Sequence, residues 1–463
     1  MAKARSTDAL LLLCLIILIV AALTWVIPAG HYERSYNEQT GLTQVIPGSF
    51  RNSPAQPVGP WGVLLSIPKG LVAAADIVFF VLIGGAALTV IEITGAMGGV
   101  LNSLTRRFAS RPLLILPIVS SLFIFGGASY GMYEEILAFI PLLCVLMRRL
   151  GMSGTMAVAV SLGSASVAAT FSPFNTFHLG ISQALAEVPL FSAATFRSIV
   201  FVIAMAAWLA YIMWRGRQMQ HATSADDLIT REAAMPDATP PTADLLSPST
   251  MTRHVVVLSV LGGGLAAMIA GAILWGWGIT QFTAVLLGVG VTAGLAGGLK
   301  LRGTSLAMQE GFGRLAYAAV LIGVARAISI VLEQGAILDT ITNALFQPLQ
   351  TIPPAGAGIL MFFSQSLLAV PIPSDSGRAM LSLPILVPLS DLLHVSRQVV
   401  VLTYQYGILA ANLLSPTGGA MLAMLTLAGV SLTTWWKFVL PIFLVLTTIS
   451  GIAIVVAMRI GLQ

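Results

Sequence analysis

The chain has 463 residues, of which 57% are hydrophobic and 9% charged, with a formal net charge of +5. A soluble domain carries roughly 25% charged residues, so this composition excludes a water-soluble globule and points to an all-α polytopic membrane protein. The positive balance does not indicate a nucleic-acid partner, because the cations fall in short segments between apolar runs, where they orient spans across a bilayer.

A membrane-crossing helix needs about 20 apolar residues. The first such run is 9–27, preceded by Lys3 and Arg5. It exceeds the roughly 7–15-residue core of a signal peptide, so it reads as a retained first span with the N-terminus cytoplasmic. Cys14 and Cys144 both lie inside apolar runs and imply neither a disulfide framework nor a thiolate metal site. A polar loop at 28–60 is followed by an interfacial helix at 61–72 (with Pro68 and Lys69) and a span at 73–97. Segment 112–147 is apolar but interrupted at Gly126–Glu135, and is flanked by Arg106, Arg107 and Arg111 before it and Arg148-Arg149 after it. If both basic clusters are cytoplasmic, the segment must enter and leave on one side, as a re-entrant hairpin with its tip near Ser129–Met132.

Span 154–186 is broken at Ser172-Pro173-Phe174-Asn175-Thr176, and span 194–214 ends at Arg215 and Arg217. Spans follow at 254–276 and 279–299, then an amphipathic piece at 303–315 and a span at 316–334. A second interrupted hairpin covers 355–394, with its tip at Pro373-Ser374-Asp375-Ser376-Gly377. A second broken span, 397–430, is interrupted at Ser415-Pro416-Thr417-Gly418-Gly419, and the last span is 437–458. This reading predicts nine full spans and two hairpins, with the C-terminus periplasmic or extracellular. Residues 1–214 form a first membrane repeat, 215–253 a polar cytoplasmic linker, and 254–463 a second, inverted repeat. A shift of 243 positions carries Pro141, Ser153, Ser172 and Pro173 onto Pro384, Ser396, Ser415 and Pro416. Inverted repeats whose discontinuous helices meet at mid-membrane are the signature of secondary transporters.

In hydrocarbon, a broken helix is tolerated only where its freed backbone groups line a protein-enclosed or wet cavity. Glu134 and Glu135 are the leading candidates for a solute site, since a charge at bilayer depth costs about 2.5–3.5 kcal/mol even on the lenient insertion scale. The plainer reading is that one of them braces the hairpin backbone. Ser172, Asn175, Thr176, Ser415, Thr417 and Gly418 stand at the breaks and Ser129 at the first tip, where freed N–H groups can bind carboxylates and freed carbonyls Na⁺; a Pro kink without ligand is the alternative. Asn412, one turn before the second break, could serve only as a cap. At the second tip are Ser374, Asp375, Ser376 and Arg378; Asp375 and Arg378 can pair with each other at i,i+3, or Arg378 can hold a substrate carboxylate in a two-donor grip. His178 reads as a hydrogen-bonded wall residue, and Arg326 and Glu333, on one helix face, as partners for other spans. A Na⁺ could lie near Ser129, Asn175, Ser374 and Thr417; otherwise coupling would be to H⁺, and no other cofactor is implied. Gly127-Ala128-Ser129-Tyr130-Gly131 matches the Gly-x-Ser-x-Gly elbow of hydrolases, but that elbow needs a strand-to-helix turn, and the flanks here are apolar spans.

These residues carry a family resemblance. Gly131-Met132-Tyr133-Glu134-Glu135, Ser172-Pro173-Phe174, Leu321 to Ala327, Leu332 to Thr340, Pro371 to Arg378, and Ser396-Arg397-Gln398 through Ser415-Pro416-Thr417 resemble the YfcC family. That family stands within the C4-dicarboxylate anaerobic carrier (DcuC-like) group of the ion transporter superfamily. The resemblance implies an elevator-type secondary carrier, homodimeric, with paired hairpins and broken helices forming the site. Relatives are assigned to dicarboxylates or to amino acids, including arginine/ornithine exchange. Two departures stand out: Ile408 replaces the aspartate usual after Tyr404-Gln405-Tyr406-Gly407, and Asp375 replaces a common glycine. A cation site built on that aspartate is therefore absent or moved to Asp375.

The expected function is secondary transport of a small carboxylate-bearing metabolite across the cytoplasmic (inner) membrane. Amino acids are favoured over C4-dicarboxylates, because the tips carry more acids than bases. A polytopic membrane enzyme would need a Ser–Lys, Ser–His, paired-Asp or metal arrangement within the spans, and none has convincing spacing. A channel would show single-channel currents instead of saturable flux.

Overall fold

The structure, a computed structural model, describes residues 9–37, 42–97, 111–221, 248–372 and 374–463. Lys3, Arg5, Arg106, Arg107, Pro373 and most of the linker expected at 215–253 lie outside these residues. The first part comprises α1 (Ala9–Val26), α2 (Pro60–Ala73) and α3 (Ala75–Ile93). Between α1 and α2 the chain makes two short antiparallel ribbons, β1 (Gly30–His31) with β4 (Arg51–Asn52) and β2 (Arg34–Asn37) with β3 (Leu42–Val45).

Next come α4 (Ile115–Tyr130), a 3₁₀ turn at Glu134–Phe139, α5 (Ile140–Arg149), α6 (Gly154–Phe171), α7 (His178–Leu185) and α8 (Ala194–His221). The second part holds α9 (Pro248–Trp275), α10 (Ile279–Ala296), α11 (Lys300–Gln334) and α12 (Leu338–Phe346). It continues with α13 (Pro354–Leu368), α14 (Asp375–Leu392), α15 (Arg397–Leu414), α16 (Gly419–Leu427) and α17 (Leu432–Arg459). Among the described residues, nine helices are long and apolar enough to cross a bilayer. Eight of them coincide with spans expected from the sequence and Pro112–Tyr130 is added, while the span expected near 254–276 lies within the 28-residue α9.

The breaks in α6–α7 and α15–α16 have one local cause. Ser172 and Ser415 each precede a proline, which disfavours helical ψ in the residue before it. They adopt ψ of 134° and 120°, ending helices that otherwise run on. The 243-residue shift carries Gly154–Phe171 onto the limits of α15, Arg397–Leu414. It places α5 on the last part of α14, and α8 and α17 match in length at 28 residues each.

Contacts orient these elements. Near the end of α8, Gly216 faces Leu113 and Leu116 at the start of α4, and Gln220 Nε2 bonds the Leu150 carbonyl just after α5. The first hairpin thus has both feet at one end of α8. At the end of α17, Ile454 and Met458 face Gly358 of α13, and Ser396, after α14, bonds the Leu462 carbonyl. The Tyr211 hydroxyl near the end of α8 bonds the Phe438 carbonyl near the start of α17. The two long helices therefore run antiparallel, and the two hairpins approach from opposite ends. α4 packs along α6, α13 along α15, and α6 crosses α15. α1–α3 and α9–α11 pack together as a second group, against which α3 meets the 134–139 turn and α11 meets α16. Trp25, Trp61 and Trp275 are exposed at helix ends, as in the aromatic belts of membrane interfaces.

Several expectations shift. The first interruption is shorter than Gly126–Glu135: α4 holds through Tyr130 and stops at Gly131, whose φ of +82° gives a left-handed C-terminal cap with its N–H on the Gly126 carbonyl. Gly126–Ser129 remain helical because their small side chains let α4 press onto α6; a Cβ on Gly127 would collide with the Ala165 carbonyl. Ser376 and Gly377 belong to the first turn of α14, because Ser374 caps that helix by accepting the Gly377 N–H. The amphipathic piece and the span expected at 303–334 are one 35-residue helix. The loop at 28–60 is anchored on α12 by Arg34–Asp339 at 2.8 Å and by Tyr32 N–H to Asp339 Oδ2 at 2.9 Å. Arg326 and Glu333 form no ion pair among the described residues, and Glu333 is exposed.

Candidate functional site

A helix ends with carbonyls that lack intrahelical partners. At the end of α4 these are met from the first break: Asn175 Nδ2 donates to Gly127 O at 2.8 Å, Ser172 Oγ to Ala128 O at 2.6 Å, and Thr176 N to Ser129 O at 3.2 Å. Asn175 Oδ1 in turn accepts the N–H groups of Phe177 (3.0 Å) and His178 (2.7 Å), capping the start of α7. The first hairpin tip and the first break are thus one hydrogen-bonded unit. The second tip and break meet more sparely: Thr417 Oγ1 donates to Val370 O at 2.6 Å and shares a hydrogen bond with Ser415 Oγ, also at 2.6 Å.

The two units are joined to each other through Asp375 and His178. Asp375, at the start of α14, receives His178 Nε2 on Oδ2 at 2.8 Å and Arg378 Nη2 on Oδ1 at 3.0 Å. The Tyr404 hydroxyl donates to the Asp375 carbonyl at 2.7 Å, and the Arg378 guanidinium lies 5.1 Å from the Tyr404 ring centre. The Tyr133 hydroxyl reaches the Asn412 carbonyl at 3.4 Å. Arg378 is fully buried, yet its Nε and Nη1 have no partner. Since each edge of a guanidinium carries one Nη2 hydrogen, the bond to Asp375 leaves the other edge with two free donors.

The acids divide into bound and free. Glu135 is buried and Oε2 accepts the Tyr133 N–H at 3.0 Å, bracing the tip. Glu134 is half-buried, forms no ion pair among the described residues, and lies close enough to Asp375 and Asp76 to feel their charges. With Asp375 shared between Arg378 and His178, Glu134 is a carboxyl left without a cationic partner among the described residues.

The structure brings together Ser129, Glu134, Glu135, Ser172, Asn175, Thr176, Asp375, Arg378, Ser415 and Thr417. Asn412 joins by its backbone, with its side chain half-buried, and Gly418 is the N-cap of α16. Ser374 and Ser376 face each other at 3.4 Å on the second tip. Ser129 Oγ bonds its own helix at Phe125 O, and the residue lies inside α4 and not at the strand-to-helix turn that a hydrolase elbow needs. Among the described residues no three His, Cys, Asp or Glu side chains cluster as metal ligands. Tyr133, Tyr404 and Gln405, which the sequence offers in its family motifs but not as site candidates, are hydrogen-bonded to these residues. Their signal was present, as polar side chains within apolar helical runs.

A family model described as DcuC, C4-dicarboxylate anaerobic carrier, matches residues 7–459. An uncharacterized Haemophilus influenzae protein is 27% identical, covering 97% of this chain and 96% of that one. The Escherichia coli protein named "Putative basic amino acid antiporter YfcC" is 26% identical, covering 98% and 96%. Among solved structures, the Alcanivorax borkumensis YdaH transporter aligns with 17% identity and a TM-score of 0.42, covering 98% of this chain and 99% of that one. Neisseria gonorrhoeae MtrF, whose structure is described as illuminating a class of antimetabolite efflux pumps, aligns with 14% identity and a TM-score of 0.43, covering 98% and 96%.

Proposed function

We propose that this chain, which belongs to the C4-dicarboxylate anaerobic carrier (DcuC) family, is a secondary active carrier of amino acids, with basic ones preferred. Family membership makes it a multi-pass membrane transporter and not an enzyme. The observation that carries the reading is a carboxyl with no cationic partner among the described residues beside a guanidinium with Nε and Nη1 unbonded. Glu134 is available for a cationic group, and the open edge of Arg378 for a carboxylate. A zwitterion with a further positive charge satisfies both. A C4-dicarboxylate would leave Glu134 facing a second anion. The basic amino acid named for the E. coli relative supports the same choice.

Elevator movement is part of the proposal. The hairpins and broken helices are tied to one another by side-chain hydrogen bonds, whereas they meet the α1–α3 and α9–α11 group over small residues. Gly84 stands against Ala138, and Gly419 against Ile322 and Ala325. The antiparallel setting of α8 and α17 supports the inverted repeat. The end of α8, with Arg215 and Arg217, supports a cytoplasmic face on the side of the first hairpin's feet. A homodimer, and coupling to Na⁺, H⁺ or a counter-solute, belong to the same reading. The hydroxyls of Ser129 and Thr417 donate to carbonyls, which leaves oxygen lone pairs for a cation.

Proteoliposomes under imposed Na⁺, proton or counter-solute gradients test this. L-arginine or L-lysine uptake that saturates and is stimulated by exchange is expected. Uptake of succinate but of no amino acid would make the chain a dicarboxylate carrier, and no uptake across both classes would defeat the reading.

A further inference from the structure

Arg197, in the first turn of α8, is 1% exposed and bonds no carboxylate. Its Nη1 donates to Gln405 Oε1 at 2.5 Å and its Nη2 to Gln398 Oε1 at 3.1 Å, while Nε has no partner. The two glutamines lie seven residues apart on one face of α15. Burying a charge is costly unless neighbouring groups compensate it, so its retention here among neutral amides calls for a role.

A guanidinium has donors only. Set between two amides, it obliges both to turn their oxygens toward it and their NH₂ groups away. Gln405 Nε2 then donates to the Ser172 carbonyl at 2.8 Å, and Gln398 Nε2 to Ser192 Oγ. In an unbroken helix the Ser172 carbonyl would accept from Thr176, but that amide goes to Ser129. Gln405 therefore supplies the bond that the break removes. Without a donor-only centre, Gln405 could flip and present oxygen to oxygen.

The second half has an answering arrangement. Arg197 is the fourth residue of α8 and Trp435 the fourth of α17. Trp435 Nε1 donates to Leu413 O at 2.8 Å, and Trp436 Nε1 to Leu414 O at 3.1 Å, at the end of the helix before the second break. Matching places in the two halves thus hold helix-end carbonyls at the two breaks by different chemistry.

We propose that Arg197 is a positioning residue for the first break: acting through the imposed orientation of Gln405, it holds the Ser172 carbonyl and so sets the 172–178 segment that carries Asn175 and His178. Amide hydrogen exchange on purified full-length protein tests this without reference to substrate. Gln405→Glu keeps the charge pairing with Arg197 but cannot donate to Ser172, whereas Arg197→Met frees the amide to flip and Arg197→Lys retains a donor-only cation. Exchange of the 174–180 amides should rise at least tenfold in Gln405→Glu and in Arg197→Met, less in Arg197→Lys, with protection elsewhere in α15 kept within twofold. Unchanged protection at 174–180 in Gln405→Glu would overturn the proposal. Loss spread evenly over α8 and α15 would also overturn it, since that is the mark of a purely structural charge. If Arg197→Met fails to fold, the Gln405→Glu and Arg197→Lys pair decides.

Discussion

The two helix breaks begin from the same local rule and end as different objects. Each is a serine before a proline, 243 residues apart, with ψ of 134° and 120°. The first is bound on every side: Ser172, Asn175 and Thr176 cap α4, Asn175 caps α7, and Gln405 takes the remaining carbonyl. The second closes much of its bonding on itself, with the Gly418 N–H on the Ser415 carbonyl at 3.2 Å, and reaches its hairpin through Thr417. The difference teaches that local sequence sets where a membrane helix breaks, while long-range partners set how firmly. The first tip is held by more hydrogen bonds than the second.

The comparison can be broken at the junction of the halves. Asp375→Asn leaves Arg378 buried without its anion, and uncompensating a buried pair costs about 3–5 kcal/mol. The expected outcome is a large fall in melting temperature together with lost uptake, with wild-type melting as the contrary result. The next effect falls on the first break alone. Asn175→Ala removes one donated and two accepted bonds and should destabilise by about 2–3 kcal/mol, since a buried group left unsatisfied costs about 1–3 kcal/mol; denaturation in detergent measures it. Glu134→Gln should leave melting within experimental scatter but cut L-arginine uptake about ten- to a hundredfold, because hydrogen bonds to charged groups are worth about 1.5–3 kcal/mol. Normal uptake by that variant would remove Glu134 from the site. The smallest effect belongs to the second break. Thr417→Val loses the bond to the Val370 carbonyl and the one shared with Ser415, about 1–2 kcal/mol in all, and equal costs for Asn175→Ala and Thr417→Val would erase the distinction between the breaks.

Much of this was legible in the sequence for a physical reason. Apolar run length and proline position are local signals, and with the 243-residue echo they placed both breaks and the last five helices. Glu134, Asp375 and Arg378 were visible as charges where hydrocarbon should continue. The ribbons at 30–52 were hidden because their stability comes from docking, with Arg34 and Tyr32 meeting Asp339 about 300 positions away. The continuation of α4 through Gly126–Tyr130 was obscured because glycine and serine read as turn formers. Only contact with Ala165 shows why small residues were needed there. His178 reads as a hydrogen-bonded residue, and it is hydrogen-bonded, yet the sequence held no sign that its partner was Asp375, 197 positions away.

The central claim is a solute bridging the two tips. A cryo-electron microscopy map of the protein with L-arginine tests this most directly. It should show ligand density between the Glu134 carboxylate and the open edge of Arg378, with His178 still against Asp375. Ligand density elsewhere, with the Glu134 and Arg378 tips apart and nothing between them, would contradict it.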